Sequence, residues 1–213
     1  CRERGLPWVE VAGGGQPRHR LGWLVTPVLA ALGLDDGVDE AIALLREVGR
    51  DYARAVPLVD NPAKRLASRL AGGGLAALYG AAGLGSVAAY RLKCQLNENA
   101  ELPALSGELP EMNHNEIVAW PRSKGADVRG VVWIRDPLGE HERVRARFSI
   151  TQRLVNEHFA WREELVARGT APLARLASLL GLVDLASVYT AIALDRDPTP
   201  IGPIVRLKQE LGH

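Results

Sequence analysis

Apolar residues follow two different rhythms along this chain, and the rhythm changes at the glycines of residues 72–74. Before these glycines, apolar side chains recur every three to four residues, which is typical of amphipathic helices. The helical segments should end at Gly33, before Pro57 and at Gly72, because glycine and proline terminate helices. These segments are residues 20–33, 38–54 and 62–70, and a short strand is predicted before them at residues 6–12.

Compact apolar runs begin at Leu75 and alternate with helical patterns from there to the end of the chain. Such runs are typical of strands buried on both faces of a parallel sheet. Their alternation with helices predicts an α/β fold, a three-layer α/β/α sandwich around a parallel sheet. The predicted strands are residues 75–79, 103–106, 130–135 and 161–167, and the predicted helices are residues 87–99, 113–120, 140–156, 172–194 and 201–211. We place a domain boundary near Gly72, between residues 1–71 and residues 72–213.

Charge and hydropathy narrow the classes of partner. The 26 basic and 25 acidic residues give a net charge of +1, so no strong field favours nucleic acid or an anionic membrane. The longest apolar stretch, residues 173–194, contains Arg175 and Asp184, and we therefore expect no membrane span. Cys1 and Cys94 form no Cys-x-x-Cys pair, which fits a reducing compartment and predicts a cytoplasmic protein. Because the chain begins with Cys1 rather than Met, we expect that an upstream part precedes it.

Two segments after the first predicted strand of the sheet are candidates, one rich in glycine and one polar. Residues 80–86 (GAAGLGS) allow two interpretations: an anion site of backbone N–H groups with Ser86, or small residues that permit tight strand–helix packing. The spacing matches neither G-x-G-x-x-G nor a P-loop, which has a lysine. Farther along, Arg91, Gln95 and Glu98 share one helix face, for which we expect contact with solvent.

The segment Asn113-His114-Asn115-Glu116 also has two interpretations. Glu116 beside a helix start and flanked by amides has the arrangement of an oriented general base. Alternatively, Asn113 caps the helix and Glu116 closes a capping box. The spacing of the four residues does not choose between them.

Three further candidates are isolated along the sequence. His141 begins a predicted helix, Lys208 lies in the last helix, and Arg18 follows the first predicted strand. Taken one at a time, each is typical of a surface residue. The chain contains neither a Ser/His/Asp set nor a metal cluster with the usual ligand spacing.

Several longer segments together resemble one family, the bifunctional phosphoglucose/phosphomannose isomerases, whose domains have the sugar isomerase (SIS) fold. The resemblance covers almost the whole chain. The opening segment resembles the end of that family's first SIS domain, so residues 1–71 are interpreted as its tail with linker helices and residues 72–213 as the C-terminal SIS domain. The segments are GGGQPRHRLGWL, KCQLNENAELPA, PEMNHNEIVAW, SVYTAIALDRDPTPI and IVRLKQEL.

The resemblance implies a function and a set of site residues. Members interconvert glucose 6-phosphate or mannose 6-phosphate with fructose 6-phosphate through a cis-enediolate, with no metal or organic cofactor, as homodimers. The family's base falls on Glu116, its arginine on Arg18, its near-terminal lysine on Lys208 and the histidine that the neighbouring subunit contributes on His141. A carboxylate moves the proton, cations stabilise the oxyanion, and a histidine assists ring opening. Substrate contacts are expected from Ser86, Asn113, His114 and Asn115.

Two departures from the family leave a second function open. The first SIS domain, with its phosphate-binding loops, is not within these 213 residues, so we expect this chain alone to be inactive. The family usually has Tyr-Leu-Ala where this chain has Tyr189-Thr190-Ala191. The alternative is a non-catalytic regulatory SIS domain that binds a sugar phosphate; a dimerisation domain is a third interpretation.

Overall fold

A computed structural model describes residues 2–6, 8–122 and 128–212, so Cys1 and Pro7 lie outside the described residues. Contacts divide the chain into two compact units, Cys1–Asp36 and Gly37–His213. The first unit contains helix α1 (Leu21–Leu32), which ends as predicted at Gly33, whose φ of 64° is common after a helix. The predicted strand at residues 6–12 is wrong for the residues described. A strand needs a partner to pair with, and residues 2–6 and 8–36 contain none.

The second unit contains a parallel four-stranded sheet with the order β2-β1-β3-β4. The central strands β1 and β3 are buried almost throughout, which explains their continuous apolar runs. Tyr79 of β1 lies opposite Gly107 of β2 and Trp133 of β3. The strands are β1 (Leu75–Ala81), β2 (Leu105–Leu109), β3 (Val128–Arg135) and β4 (Trp161–Val166).

Helices cover both faces of the sheet, so the predicted three-layer α/β/α sandwich is confirmed. One face packs against a helical layer in which α2, α3 and α4 all contact α6. The other face packs against α5 and the short turns that follow β2. The predicted boundary near Gly72 falls inside this unit, between α3 and β1, and the assignment of residues 1–71 to a preceding domain stays a prediction. The helices are α2 (Val38–Asp51), α3 (Pro62–Ala71), α4 (Leu84–Asn99), α5 (Glu142–Val155), α6 (Pro172–Ala193) and α7 (Gly202–Glu210).

Helix α6 has the length and hydropathy of a membrane span, and it is the one such helix in the described part of the chain. It lies among α2, α3 and α4 and carries buried Arg175, Ser178, Ser187 and Thr190. Its apolar composition is therefore explained by its place at the centre of the helical layer.

The predicted secondary structure is also wrong in the segment after β2. A helix over residues 113–120 was expected, but the chain forms three separate turns of 3₁₀ helix, Glu111–Asn113, Glu116–Val118 and Trp120–Arg122. Asn115 leaves the helical path, and its Oδ1 accepts the Glu116 N–H at 2.5 Å. That bond replaces the carbonyl partner that a continuous helix would supply.

The polar face of α4 contacts α6 and not solvent alone, which corrects the expectation for Arg91 and Gln95. Arg91 donates to both carboxylate oxygens of Asp184, at 2.7 and 2.6 Å. Gln95 donates to Asp184 Oδ1 at 2.8 Å. One turn farther along, Asn99 donates to Ser187 at 2.8 Å. The polar residues of this helix thus fix the register of α4 on α6.

Substituting Asp184 by Ala should lower the free energy of unfolding by about 2 kcal/mol, because a part-buried guanidinium and an amide lose their acceptor. Urea denaturation followed by circular dichroism measures the change. The control is Glu210→Ala, which breaks an exposed ion pair with Arg206 and should change stability by less than about 0.5 kcal/mol. Equal effects of the two substitutions would show that the Asp184 contacts do not stabilise the helical layer.

Glu40 of α2 caps the start of α6 from across the helical layer. Its carboxylate accepts the backbone N–H groups of Thr170 at 2.6 Å and Ala171 at 2.9 Å, together with the Thr170 hydroxyl. These N–H groups precede α6 and would otherwise lack helical partners. The bond from the Ala171 N–H, followed by those from Thr170, lowers the pKa of Glu40 below its ordinary value.

The Glu40 contacts predict a pH-dependent contribution to stability. Since the folded-state pKa is below the unfolded value of 4.5, the contribution is present above pH 4.5 and is lost as the pH falls through the folded-state pKa. Glu40→Gln should therefore lower the melting temperature at pH 7, and the difference from the unsubstituted protein should shrink on acidification below pH 4.5. Melting curves of both proteins from neutral pH down through the acid range measure this; a difference that does not vary with pH would contradict it.

Candidate active site

The carboxyl ends of the parallel strands meet at one edge of the sheet. From β1 the chain passes through α4 to β2, whereas β3 pairs on the opposite side of β1, so the strand order reverses between β1 and β3. Ligands of open α/β sheets bind at such a reversal. A cleft of about 200 Å³ lies there, lined by the start of α4 and by Asp136, Glu140 and Arg175. Arg175 pairs with Asp136 at 2.7 Å, and Glu140 pairs with Arg135 at 2.7 Å.

The glycine-rich segment between β1 and α4 serves close packing. A Cβ atom on Gly80 would lie 2.1 Å from the backbone of Gly85, and one on Gly85 would lie 2.8 Å from the Ile134 carbonyl oxygen. Helix α4 begins at Leu84, three residues earlier than predicted, and its N-cap is Gly83. Ser86 is therefore inside the first turn, where its hydroxyl donates to the Gly83 carbonyl at 3.1 Å. The structure thus shows the close packing that these glycines permit, and the anion site with Ser86 stays a prediction.

Glu116 lies half-buried beside the sheet, on the face that packs against α5. The Tyr79 hydroxyl donates a hydrogen bond to Glu116 Oε2. The other oxygen, Oε1, lies beside Gly107, where a Cβ atom would approach it to 3.1 Å. Within the described residues no hydrogen bond to Oε1 is formed. The carboxylate therefore has one anchored oxygen and one oxygen with room to accept a proton.

The residues around Glu116 do not form the predicted capping box. Asn113 turns away and donates to Thr151 of α5 at 2.7 Å. Asn115 donates to Glu111 at 3.0 Å, and His114 is exposed. The amides thus anchor the turns that present Glu116, and they do not hold its carboxylate.

The residue that holds the carboxylate, Tyr79, is absent from the sequence-based candidates. Its ring is 1% exposed and stacks on Trp133, with ring centroids 5.4 Å apart. Burial first, then the hydrogen bond to Glu116 and the charge of that carboxylate, raise the pKa of Tyr79 above its ordinary value, so its hydroxyl remains a proton donor. Because successive side chains of β1 point to opposite faces of the sheet, Tyr79 lies on the face opposite α4. Nothing in the local sequence indicated that residues 79 and 116 meet.

A second cleft, of about 400 Å³, opens where β2 meets α4, a size typical of small-molecule sites. Gly107 is one of its lining residues, but the cleft lies on the α4 side of β2, whereas Glu116 lies on the α5 side and does not line it. The predicted substrate contact Ser86 also lines it. The remaining lining residues are Val87, Tyr90, Ser106 and Glu108.

The other predicted site residues each have their own surroundings. His141 is the exposed N-cap of α5, and its Nδ1 accepts the Arg143 N–H at 3.2 Å. Lys208 lies on α7, where every residue is exposed. Arg18 is buried in a 3₁₀ turn, Pro17–His19, of the first unit. No hydrogen bond or ion pair in the described residues joins His141 or Lys208 to Glu116, and their roles stay predictions. In the described part of the chain, no three His, Cys, Asp or Glu side chains lie close enough together to hold a metal ion.

Comparisons with known proteins agree with the fold and with the sequence resemblance. The chain is 34% identical, over 98% of its length, to a bifunctional phosphoglucose/phosphomannose isomerase of Caldicellulosiruptor bescii, and 32% identical, over 99% of its length, to that of Aquifex aeolicus. It spans 63% of the length of each relative. A crystal structure of a glucose-6-phosphate isomerase-like protein from Thermus thermophilus superposes with a TM-score of 0.67 at 20% identity, covering 88% of this chain and 61% of that one.

The sequence profile described as the bacterial phospho-glucose isomerase C-terminal SIS domain matches residues 59–211. The matched region includes the whole parallel sheet, the turns that carry Glu116 and the terminal helix α7. The resemblance found in the sequence is confirmed, and the chain belongs to the family of bacterial phospho-glucose isomerase C-terminal SIS domains.

Proposed function

We propose that the protein to which these 213 residues belong is an aldose–ketose isomerase that interconverts glucose 6-phosphate or mannose 6-phosphate with fructose 6-phosphate. The observation that carries the proposal is the state of Glu116: one carboxylate oxygen is bound by Tyr79, and the other lies beside Gly107 with no hydrogen bond within the described residues. Membership of the family and the names of its relatives support it.

Glu116 acts as the base that moves a proton between two carbon atoms of the open-chain sugar. It removes the proton from C2 of the aldose, and the C–H electron pair forms the C1–C2 double bond while negative charge develops on O1. The carboxylic acid then returns the proton to C1 while the O2 hydroxyl proton passes to O1, so that O2 becomes the ketone oxygen and O1 a hydroxyl. Its Oε1 is the oxygen suited to this transfer because Oε2 is bound by Tyr79.

Positive groups from outside the sheet complete the site. We assign stabilisation of the enediolate oxygen to Arg18 and Lys208, since fixed cations near a developing oxyanion lower the barrier. His141 opens the sugar ring in the site of a neighbouring subunit of a homodimer. Its exposed position at the start of α5 supports a role outside its own chain. Exposed apolar side chains on α1 and α7, such as Trp23 and Leu207, support their burial in a larger assembly. We place that assembly in the cytoplasm, as the low cysteine content predicts.

The test is a coupled assay for glucose 6-phosphate formed from fructose 6-phosphate, with mannose 6-phosphate measured in parallel. It uses the full-length protein, including any segment that precedes Cys1. Formation of either aldose supports the isomerase. If neither aldose forms but fructose 6-phosphate raises the melting temperature, the protein is the non-catalytic sugar-phosphate-binding domain. If neither effect occurs, the dimerisation interpretation remains.

A further inference from the structure

Tyr79 is held rigidly from several sides within the aromatic cluster on the α5 face of the sheet. Its ring stacks on Trp133 and forms a T-shaped contact with Trp120, with the two ring centroids 6.4 Å apart. Trp133 is fixed in turn by a 2.9 Å hydrogen bond from its Nε1 to Asn156 and by the edge of Phe148. A buried aromatic ring with neighbours of this kind keeps a single orientation.

Because Gly107 has no side chain, it leaves room for the Tyr79 hydroxyl to contact the Glu116 carboxylate. It lies directly opposite Tyr79 in the β1–β2 pairing. A Cβ atom at this position would approach Tyr79 Cε1 to 2.9 Å and Glu116 Oε1 to 3.1 Å. Any other residue would push against both partners of the hydrogen bond. A glycine at a strand position that must pack close to two side chains is a general sign of such an approach.

We propose that Tyr79 is the positioning residue of Glu116: the rigid tyrosine fixes Oε2, and thereby aims Oε1 at the reacting carbon atoms. This inference rests on the proposed function. The turns that carry Glu116 do not position the carboxylate themselves, because their amide side chains bond elsewhere. A carboxylate that is free to rotate would spend much of its time misaimed, and small misplacements of a catalytic group cost large factors in rate.

The substitution Tyr79→Phe tests this inference because it keeps the stacked ring and removes only the hydroxyl. In the full-length protein we expect kcat to fall by about 10-fold to 100-fold, with KM changed by less than about twofold. The pH–rate profile should change as well, because the hydroxyl that contacts the reacting carboxylate is removed. Gly107→Ala should reduce kcat as well, with the tyrosine hydroxyl still present.

The matched control is Tyr189→Phe, which removes a hydroxyl bonded to the Tyr52 carbonyl at 2.6 Å in the helical layer. It should lower the melting temperature while leaving kcat and the pH–rate profile unchanged. Tyr79→Phe with kcat and pH profile like the unsubstituted protein, while Glu116→Gln is inactive, would overturn the positioning role alone. An active Glu116→Gln protein, or no turnover in the unsubstituted protein, would instead overturn the proposed function and this inference with it.

Discussion

Replacing Glu116 by Gln is expected to reduce isomerisation by at least about 10³-fold while leaving the fold intact. Glutamine has nearly the shape of glutamate and can still accept the Tyr79 hydrogen bond, but it cannot take a proton from carbon. The side chain is only half-buried and forms no ion pair in the described residues, so the substitution should barely change stability. The coupled fructose 6-phosphate assay measures the rate, and thermal unfolding measures the stability.

The control for this substitution is Glu157→Gln, at an exposed carboxylate after α5 that should leave turnover unchanged. Loss of activity in both variants would indicate general damage to the protein. Turnover near the unsubstituted rate in Glu116→Gln would show that another group is the base. A large loss confined to Glu116→Gln would distinguish the isomerase from a binding domain.

Gly80→Ala should be strongly destabilising, lowering the free energy of unfolding by about 3 kcal/mol. The added Cβ atom would lie 2.1 Å from the Gly85 backbone, which cannot move without shifting the start of α4. Helix α4 also contacts α6 and both neighbouring strands, so its displacement would disturb the whole helical layer. Urea unfolding compared with the unsubstituted protein measures the loss.

The matched control is Gly49→Ala, in α2 of the same unit, where an added Cβ atom has nothing within 4 Å. Alanine is the better helix former, so this variant should be unchanged or more stable by up to about 1 kcal/mol. If Gly80→Ala unfolds at the same urea concentration as Gly49→Ala, the tight contact between β1 and α4 is contradicted.

The architecture could be predicted from the sequence because it depends on local periodicity. The compact runs at β1 and β3 follow from burial on both faces, and the start of α3 follows from Asn61, whose side chain accepts the Lys64 N–H as an N-cap should. On the polar face of α4, a partner distant in sequence decided the outcome. Arg91 and Gln95 were predicted to face solvent because nothing near them in sequence reveals Asp184, which lies about ninety residues away.

The candidate site was also predicted only in part from the sequence. Glu116 was identified through its motif, but its anchor Tyr79 and the space at Gly107 depend on the pairing of β1 with β2. The turn structure around residue 116 was mispredicted because the side chain of Asn115 competes for a backbone N–H group. The roles of Arg18, His141 and Lys208 came from the family resemblance alone, and local periodicity carries no signal for them.

The most direct test of Glu116 as the base is the exchange of carbon-bound hydrogen with solvent, followed by NMR. The full-length protein is incubated with fructose 6-phosphate in D₂O, and deuterium at C1 of the ketose and C2 of the aldose is measured. A base that shuttles the proton through an enediolate exchanges part of it with solvent, so we predict incorporation by the unsubstituted protein and none above background by Glu116→Gln. Equal incorporation by both proteins would contradict the assignment of Glu116 as the base.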